Sequence, residues 1–157
     1  MNGSKTKLLD TRKTTPGFRA LEKYAFSCGG GYNHRYGLFD RIMIKDNHLA
    51  ALNTDYLELK KLRHEFPSIP IHVEVDSLTQ IEVALELGAD CILLDNFSLS
   101  EIKKAIILIK NKAFTEASGG IKIDFLKKIN NIGLDFISSG APIYESKWID
   151  IGLDWKL

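Results

Sequence analysis

Short apolar runs rich in β-branched residues recur along the 157-residue chain, and each run ends in polar residues. Each run is followed by a stretch whose apolar positions repeat with the period of a helix. Strands that alternate with helices in this way are typical of parallel α/β architecture. The predicted strands cover residues 8–11, 42–45, 71–75, 91–94, 113–116 and 136–138.

The length of the chain limits how complete this architecture can be. The predicted strand ends are about twenty to thirty residues apart, a spacing that favours an α/β barrel over a doubly wound sheet. A complete eight-unit barrel needs roughly 250 residues, which is more than the 157 present here. We therefore expect an incomplete, open parallel α/β barrel of six strands with flanking helices over residues 8–140.

The end of the chain has a different pattern. Apolar and polar residues alternate with period two over residues 149–155, which predicts one more strand without an obvious partner. Residues 141–157 are therefore predicted to form a C-terminal tail strand outside the barrel.

Capping signals mark three predicted helix starts. Thr15 stands before a proline and is predicted to be an N-cap at the first helical turn. Ser77 with Gln80, and Ser98 with Glu101, have the spacing of capping boxes. These signals place helices along the chain and indicate nothing about chemistry.

Composition and charge exclude several classes of function. The 21 lysines and arginines nearly balance 20 acidic residues, and this net charge of +1 predicts no affinity for nucleic acid or an anionic membrane. The sequence has no secretory leader and no membrane-spanning run, so a cytoplasmic location is expected. Cys28 and Cys91 are expected to be reduced thiols. Because the net charge is small, an anion-binding site would have to come from a cluster of positive side chains at one place.

Polar residues gather at the carboxyl ends of the predicted strands. In parallel α/β folds these ends meet at one mouth, where the reacting groups are found. Cations, carboxylates and glycine turns are thus predicted to meet there. In chain order these residues are Arg12, Lys13, Lys45, Asp46, Glu74, Asp76, Asp95, Asn96, Ser118, Gly119, Gly120, Ser139 and Gly140.

The cations at this mouth predict an anion site. Arg12 and Lys13 follow the first strand, and His34 and Arg35 arrive after a run of glycines. Together they can form a pocket for a small polyanion such as a dicarboxylate. The alternative for such a basic pair is a solvated charge at the rim.

Other polar residues at this mouth suit a phosphate, and either sugar hydroxyls or Mg²⁺. The turn at residues 118–120 opens toward a helix, so its backbone N–H groups can bind phosphate. Glu74 and Asp95 can hold sugar hydroxyls or Mg²⁺. A pair of glycines is also an ordinary turn, and that alternative stays open at this point.

Three further histidines have predictions of their own. His64 lies between Arg63 and Glu65 and is predicted to be a surface residue. His72, within an apolar strand, is predicted to be structural. His48 either caps the loop after Lys45 or reaches the site.

Seven motifs follow one another along the chain: DTRKTTPG at 10–17, CGGGYNHRYGL at 28–38, IKDNH at 44–48, VEV at 73–75, LDNF at 94–97, EASGGI at 116–121 and DFIS at 135–138. In this order they resemble the signature blocks of quinolinate phosphoribosyltransferases. The resemblance implies transfer of the phosphoribosyl group of phosphoribosyl pyrophosphate to quinolinate, with loss of CO₂. The products would be nicotinate mononucleotide, an intermediate of NAD biosynthesis, and pyrophosphate.

The resemblance also implies roles for individual residues. Lys45, Glu74 and Asp95 would be catalytic, and Glu74 and Asp95 would also bind Mg²⁺. The quinolinate carboxylates would be held by Arg12, Lys13, His34, Arg35 and Lys45. Phosphoribosyl pyrophosphate would be held by Glu74, Asp95, Ser118, Gly119, Gly120, Ser139 and Gly140.

Two departures from the family's pattern qualify these expectations. Family members resemble homodimers in which an N-terminal domain covers the partner's barrel, and nothing in this sequence corresponds to that domain. The tail at 141–157 is expected to pack with such a domain. Tyr144 stands where the family has histidine, and Glu145 adds negative charge near the predicted phosphate site.

Two alternatives to this transferase function stay open. The chain is either a non-catalytic barrel remnant, which binds ligand weakly or only dimerises, or a related phosphoribosyltransferase for another aromatic acid.

Overall fold

The fold is a single parallel sheet flanked by helices. The structure, a computed structural model, describes residues 4–51, 56–129 and 131–155. The strands are β1 (Lys7–Leu9), β2 (Ile42–Ile44), β3 (Ile71–Val75), β4 (Cys91–Asp95), β5 (Phe114–Ser118) and β6 (Phe136–Ser138). The helices are α1 (Arg19–Cys28), α2 (Asp46–Ala51), α3 (Leu57–Glu65), α4 (Gln80–Glu86), α5 (Leu99–Ile109), α6 (Ile123–Ile129) and α7 (Ala141–Tyr144).

The strand order shows where the barrel is open. The six strands run in the order β1-β6-β5-β4-β3-β2, and all neighbours are parallel. The first two strands of the sequence are therefore the two edges of the sheet. Leu9, the last residue of β1, also forms an isolated parallel bridge with Tyr32, and among the described residues no ladder continues from this bridge to β2. The predicted open barrel of six strands with flanking helices is confirmed.

The two faces of the sheet differ in polarity. Because side chains alternate along a strand, apolar residues of β3 to β6 face the helices and form one hydrophobic core with them. Complete burial of each such side chain contributes about 1.5–3 kcal/mol. The residues of β3 to β6 in this core are Ile71, Val73, Val75, Ile92, Leu94, Ala117 and Ile137, and Ile44 of β2 joins them. The intervening residues, many of them polar, face the barrel interior, and this polarity makes a binding site possible there.

One of the three predicted helix caps is confirmed. Ser98 is the N-cap of α5, and its hydroxyl accepts the Glu101 N–H at 3.4 Å. The Glu101 carboxylate accepts the Ser98 N–H in return at 2.9 Å. This capping box fixes the first turn of the helix that follows Asp95.

The other two caps were predicted wrongly. The helix after Thr15 begins only at Arg19, because Gly17 has φ of +81°, outside the helical region. The Thr15 N–H instead donates to Glu22 at 2.9 Å. The Gln80 side chain accepts the N–H of Asp76 rather than that of Ser77, at 2.8 Å. The helices are present, but their starts depend on backbone conformations that spacing alone does not reveal.

The predicted tail strand is not formed in the described part of the tail. Residues 141–144 are the short helix α7, and residues 146–155 belong to no helix or strand. A strand needs a neighbour for its backbone hydrogen bonds, and period-two alternation does not supply one. Residues 156–157 of the predicted tail lie outside the described residues. Packing of the tail against another domain stays a prediction.

The tail nevertheless presents a row of exposed apolar side chains. Ile149, Ile151, Leu153 and Trp155 are each at least 79% exposed, and Trp148 is fully exposed. Exposed apolar side chains that group into one patch mark an interaction surface or an aggregation site. Solubility of the chain is therefore expected to depend on this segment.

Deletion of residues 149–157 should reduce self-association of the chain, because it removes four of these five exposed apolar side chains, all but Trp148, without touching the barrel. Sedimentation velocity over a range of protein concentrations measures this. The same-length variant with Ile151→Ser and Leu153→Ser is the matched control and should behave like the deletion. A monodisperse monomer at high concentration with the tail intact would contradict the prediction.

Other sequence predictions concern single residues or the whole chain. Cys28 is exposed and Cys91 is buried, and both are free thiols. His64 is exposed, as predicted. Within the described ranges, no helix is both long enough and apolar enough to cross a membrane.

Candidate active site at the carboxyl ends of the strands

A pocket of about 270 Å³ opens at the carboxyl ends of the strands. The parallel register brings its walls together, since Glu74 lies beside Leu93 and Asp95 beside Ser118 on neighbouring strands. The pocket is lined by Thr11, Arg12, Lys13, His34, Arg35, Met43, Lys45, Glu74, Leu93, Asp95, Glu116, Ser118 and Ser138. All the residues predicted to bind quinolinate line this one pocket, as do Glu74, Asp95 and Ser118 from the predicted phosphoribosyl pyrophosphate set.

The other four residues of the predicted phosphoribosyl pyrophosphate set do not line the pocket, namely Gly119, Gly120, Ser139 and Gly140, and neither do Asp46, Asp76 and Asn96 of the predicted mouth. Gly119 has φ of +83°, and a Cβ there would meet the Asn96 side chain at 2.3 Å, so local packing requires a glycine. The Ser139 hydroxyl donates to the Ile121 carbonyl at 2.9 Å and accepts the Ala141 N–H at 3.2 Å. These hydrogen bonds shape the rim, and direct contact of the four residues with phosphate stays a prediction.

A larger cavity of about 560 Å³ lies at the amino ends of the strands, and no predicted site residue lines it. Its walls include Phe114 and Phe136, whose rings pack against each other 5.6 Å apart. Arg63 also lines it, but its guanidinium is already paired with Asp90. The smaller pocket at the opposite end is lined by the predicted cations and carboxylates, which can bind and polarise a substrate, so it is the candidate site.

Three cations of the candidate site form no ion pair within the described part of the chain. Among the residues that the structure describes, no carboxylate lies within 4.0 Å of the charged groups of Arg12, Lys13 or Arg35. Burial and then the neighbouring Arg12 lower the pKa of Arg35 below its ordinary value. Clustered cations repel one another, and a bound dianion would relieve that repulsion. The geometry therefore suits a small dicarboxylate.

Lys45 has a partner within the pocket. Its ammonium lies 2.6 Å from Glu74, across from β2 to β3. The backbone N–H of Lys45 donates to the His48 ring at 3.0 Å. His48 therefore caps the loop after Lys45, which is the first of its two predicted roles. This hydrogen bond fixes the backbone at Lys45 and so helps to direct the Lys45 side chain across the pocket toward Glu74.

A buried ion pair, which the sequence did not reveal, supports the loop that carries His34. The Lys23 ammonium lies 2.6 Å from Asp10, and their side chains are only 3% and 2% exposed. The same Asp10 oxygen accepts the His34 N–H at 2.7 Å, and Lys23 donates to the His34 carbonyl at 3.2 Å. The pair ties α1 and the loop after residue 31 to the end of β1. One available signal was that Lys23 shares the buried face of α1 with Phe26.

Sequence reasoning also assigned no role to Glu116, a pocket residue with 0% exposure. Its alternation with Phe114 and Ser118 along β5 was the available signal, since those residues line the barrel interior. The His72 ring packs edge-on against His34 at 5.8 Å, which is consistent with the structural role predicted for His72. Burial lowers the pKa of His72 to about 4, so this ring is neutral at physiological pH.

Comparisons with known proteins agree with this geometry. Residues 1–154 match the model of the quinolinate phosphoribosyl transferase C-terminal domain. The probable nicotinate-nucleotide pyrophosphorylase (carboxylating) of Bacillus subtilis is 42% identical over 158 residues, covering 100% of this chain and 55% of that protein. The Mycobacterium leprae nicotinate-nucleotide pyrophosphorylase (carboxylating) is 42% identical over 157 residues, covering 98% and 55%.

A solved structure extends the agreement to the fold. The nicotinate-nucleotide pyrophosphorylase of Ehrlichia chaffeensis superposes with a TM-score of 0.90 at 42% identity, covering 98% of this chain and 56% of that one. This chain thus spans about half the length of the curated relatives it matches. A family match over nearly the whole sequence, with the expected sheet and pocket, leads to one assignment: the chain belongs to the quinolinate phosphoribosyl transferase C-terminal domain family.

Proposed function

We propose that the protein containing this chain transfers the phosphoribosyl group of phosphoribosyl pyrophosphate to quinolinate, with loss of CO₂. The products are nicotinate mononucleotide and pyrophosphate. The observation that carries the proposal is the grouping of Arg12, Lys13 and Arg35 in the pocket that also holds Glu74 and Asp95, with no carboxylate of the described residues within 4.0 Å of the three charged groups. The cations suit a dicarboxylate, and the carboxylates suit a cationic reacting centre.

The basic residues on one side of the pocket bind quinolinate. Arg12 and Arg35 carry planar guanidinium groups that can each hold a carboxylate through two parallel hydrogen bonds. Lys13 and Lys45 add positive charge at the same mouth. Such fixed contacts would orient the ring nitrogen toward C1 of the ribose, and they would withdraw electron density as one carboxylate departs.

Glu74 and Asp95 serve the transfer step. As pyrophosphate leaves, positive charge develops at C1 and the ring oxygen of the ribose. Carboxylates that are already oriented stabilise such a charge without reorganisation at the moment of reaction. Glu74 is held by Lys45 at 2.6 Å, and Asp95 accepts a hydrogen bond from the Asn96 amide at 2.8 Å. Both carboxylates are thus oriented by neighbours.

The same two carboxylates fit Mg²⁺. Mg²⁺ prefers oxygen ligands and is usually held by one or two carboxylates together with substrate phosphates. Glu74 and Asp95 lie on adjacent strands and line one pocket, so they form a suitable donor set. When bound, Mg²⁺ would neutralise charge on the departing pyrophosphate.

Other properties expected from the family resemblance remain part of this proposal. They are assembly as a homodimer, a cytoplasmic location and coverage of the barrel mouth by a second domain. The exposed apolar tail is consistent with a partner surface, and the nearly balanced net charge of +1 is consistent with small-molecule ligands and no nucleic acid.

The chain alone should form nicotinate mononucleotide from quinolinate, phosphoribosyl pyrophosphate and Mg²⁺ far more slowly than the typical enzyme range of about 1–10³ per second. An uncovered mouth admits water and weakens charge stabilisation. Fusion to the N-terminal half of the 42% identical Bacillus subtilis relative should raise turnover strongly. The same fusion with Glu74→Gln is the control and should stay inactive. Product formation is followed by chromatography.

The alternatives predict different outcomes of this assay. A fusion that binds neither substrate and forms no product would favour a non-catalytic remnant. Preference for another aromatic acid would favour a related phosphoribosyltransferase. Full turnover by the chain alone would show that no cover is needed.

A further inference from the structure

Three buried polar side chains meet beneath the candidate site. One ligand-type atom of each of His34, His72 and Glu116 lies within 4.8 Å of the other two. Among the described residues, Glu116 Oε1 and His72 Nδ1 have no hydrogen-bond partner. Unsatisfied buried polar atoms are costly and rare in native proteins, so their clustering calls for an explanation.

The hydrogen bonds of His34 show whether its Nε2 can coordinate a metal ion or instead carries a hydrogen that points to Glu116. The Arg35 backbone N–H donates to His34 Nδ1 at 2.7 Å, so Nδ1 carries no hydrogen and the ring proton is on Nε2. Coordination through Nε2 would require the proton on Nδ1, where it would oppose the Arg35 N–H. The geometry therefore favours a proton directed toward Glu116 over a metal ion.

Glu116 is the natural acceptor of that proton. His34 Nε2 lies 3.1 Å from Glu116 Oε1, within reach of a hydrogen bond, although the two groups are not aligned for one. Burial acts to raise the pKa of Glu116, but His34, Ser138 and His72 outweigh it, and the pKa lies below its ordinary value. The side chain is thus a carboxylate, which accepts hydrogen bonds and donates none.

The His34 ring connects this carboxylate to the mouth of the pocket. Its Nδ1 binds the backbone of Arg35, and the Arg35 guanidinium reaches Met43 Sδ at 3.2 Å in the pocket wall. If the ring turned over, a carbon atom would face the Arg35 N–H and the hydrogen bond would be lost. The orientation of the ring therefore controls the backbone from which the Arg35 side chain extends.

We propose that Glu116 is a positioning residue: it holds His34 as the Nε2–H tautomer, and His34 in turn fixes the backbone of Arg35 at the substrate-carboxylate site. The proposal deepens the proposed function, on which the role of Arg35 in quinolinate binding rests. The tautomer and its dependence on Glu116 do not require quinolinate, so they can be tested separately.

Nitrogen-15 NMR of the histidine rings tests the first part on the chain without ligand. His34 should show a hydrogen on Nε2 and an acceptor at Nδ1, and its signals are assigned by their loss in His34→Asn. Glu116→Met, apolar and similar in length, should give mixed tautomers and shift the Arg35 amide signal. Glu116→Gln, whose amide oxygen can still accept, should restore the single tautomer. Cys91→Ser, a change 4.0 Å from the Glu116 carboxylate, is the control and should leave the tautomer unchanged.

Ligand binding to the fusion with the Bacillus subtilis N-terminal half tests the second part. Glu116→Met should weaken quinolinate binding roughly tenfold, the scale of one charged hydrogen bond. Phosphoribosyl pyrophosphate binding should change much less, and Glu116→Gln should restore most of the loss. In a His34→Asn background, Glu116→Met should add no further loss.

Each part of the proposal can be contradicted by a specific result. A hydrogen on His34 Nδ1 in the unaltered chain would overturn the proposal, even if Glu116→Met fails to fold. An unchanged tautomer and Arg35 amide signal in folded Glu116→Met would overturn it as well. A fusion with the expected tautomer that binds no quinolinate would contradict the proposed function and leave the tautomer assignment standing.

Discussion

Lys23→Met should lower the free energy of unfolding by about 3–5 kcal/mol, the range for breaking a buried ion pair by removing one partner. The Asp10 carboxylate would remain buried without its cation, only 2% exposed, while still bound to the loop at His34. Total stabilities of small domains are about 5–15 kcal/mol, so this variant would be close to unfolding. Urea denaturation measures the effect as a lower midpoint with an unchanged slope.

Two further variants show whether burial is the cause. Lys60→Met removes a lysine from an exposed pair with Glu86, 4.0 Å apart, and should change stability by no more than about 1 kcal/mol. Addition of Asp10→Asn to Lys23→Met should recover part of the loss, because the uncompensated charge is then gone. Equal losses for Lys23→Met and Lys60→Met would contradict a special role for the buried pair.

Arg35→Lys should weaken quinolinate binding by about 1.5–3 kcal/mol, the range for a charged hydrogen bond. Lysine keeps the charge but cannot form the two parallel hydrogen bonds of a guanidinium. Phosphoribosyl pyrophosphate binding should change less, because Glu74 and Asp95 are unaltered. Titration calorimetry on the fusion with the Bacillus subtilis N-terminal half measures both affinities, and Arg12→Lys should behave in the same way.

The control for this prediction is Arg63→Lys. Arg63 is paired with Asp90 at the amino ends of the strands, so this change should affect neither ligand. Equal losses of both ligands in Arg35→Lys would indicate a collapsed site. No loss would mean that Arg35 is only a charge at the rim of the barrel.

The sequence predicted the strands and the mouth of the barrel well for a physical reason. Central strands of a parallel sheet have to present apolar residues to the helices, so their composition differs clearly from that of their surroundings. Residues directly after such strands must meet at one end of the sheet. Lys45, Glu74 and Asp95 could therefore be assigned to one pocket from position alone.

The parts that sequence analysis missed depend on contacts between distant segments. Lys23 and Asp10 are 13 residues apart, on α1 and just after β1, and only the packing of the helix on the sheet joins them. Glu116 was part of a recognised motif, but its role depends on the loop that brings His34 beneath the mouth. The predicted tail strand was wrong because alternation of apolar and polar residues produces a strand only where a second strand is present to pair with it.

The pairing of β1 with β6 also bears on how the site is assembled during folding. Thr6 binds the carbonyl of Leu134 across 128 residues of sequence, whereas β3, β4 and β5 pair with strands that are near in sequence. Contacts between distant segments carry a larger loop-closure entropy and form more slowly. We therefore expect the acidic side of the pocket, with Glu74 and Asp95, to form first. The basic side with Arg12 and Arg35 follows only when β6 is in place beside β1, so a ribosome-bound chain would have no dicarboxylate site until β6 has emerged.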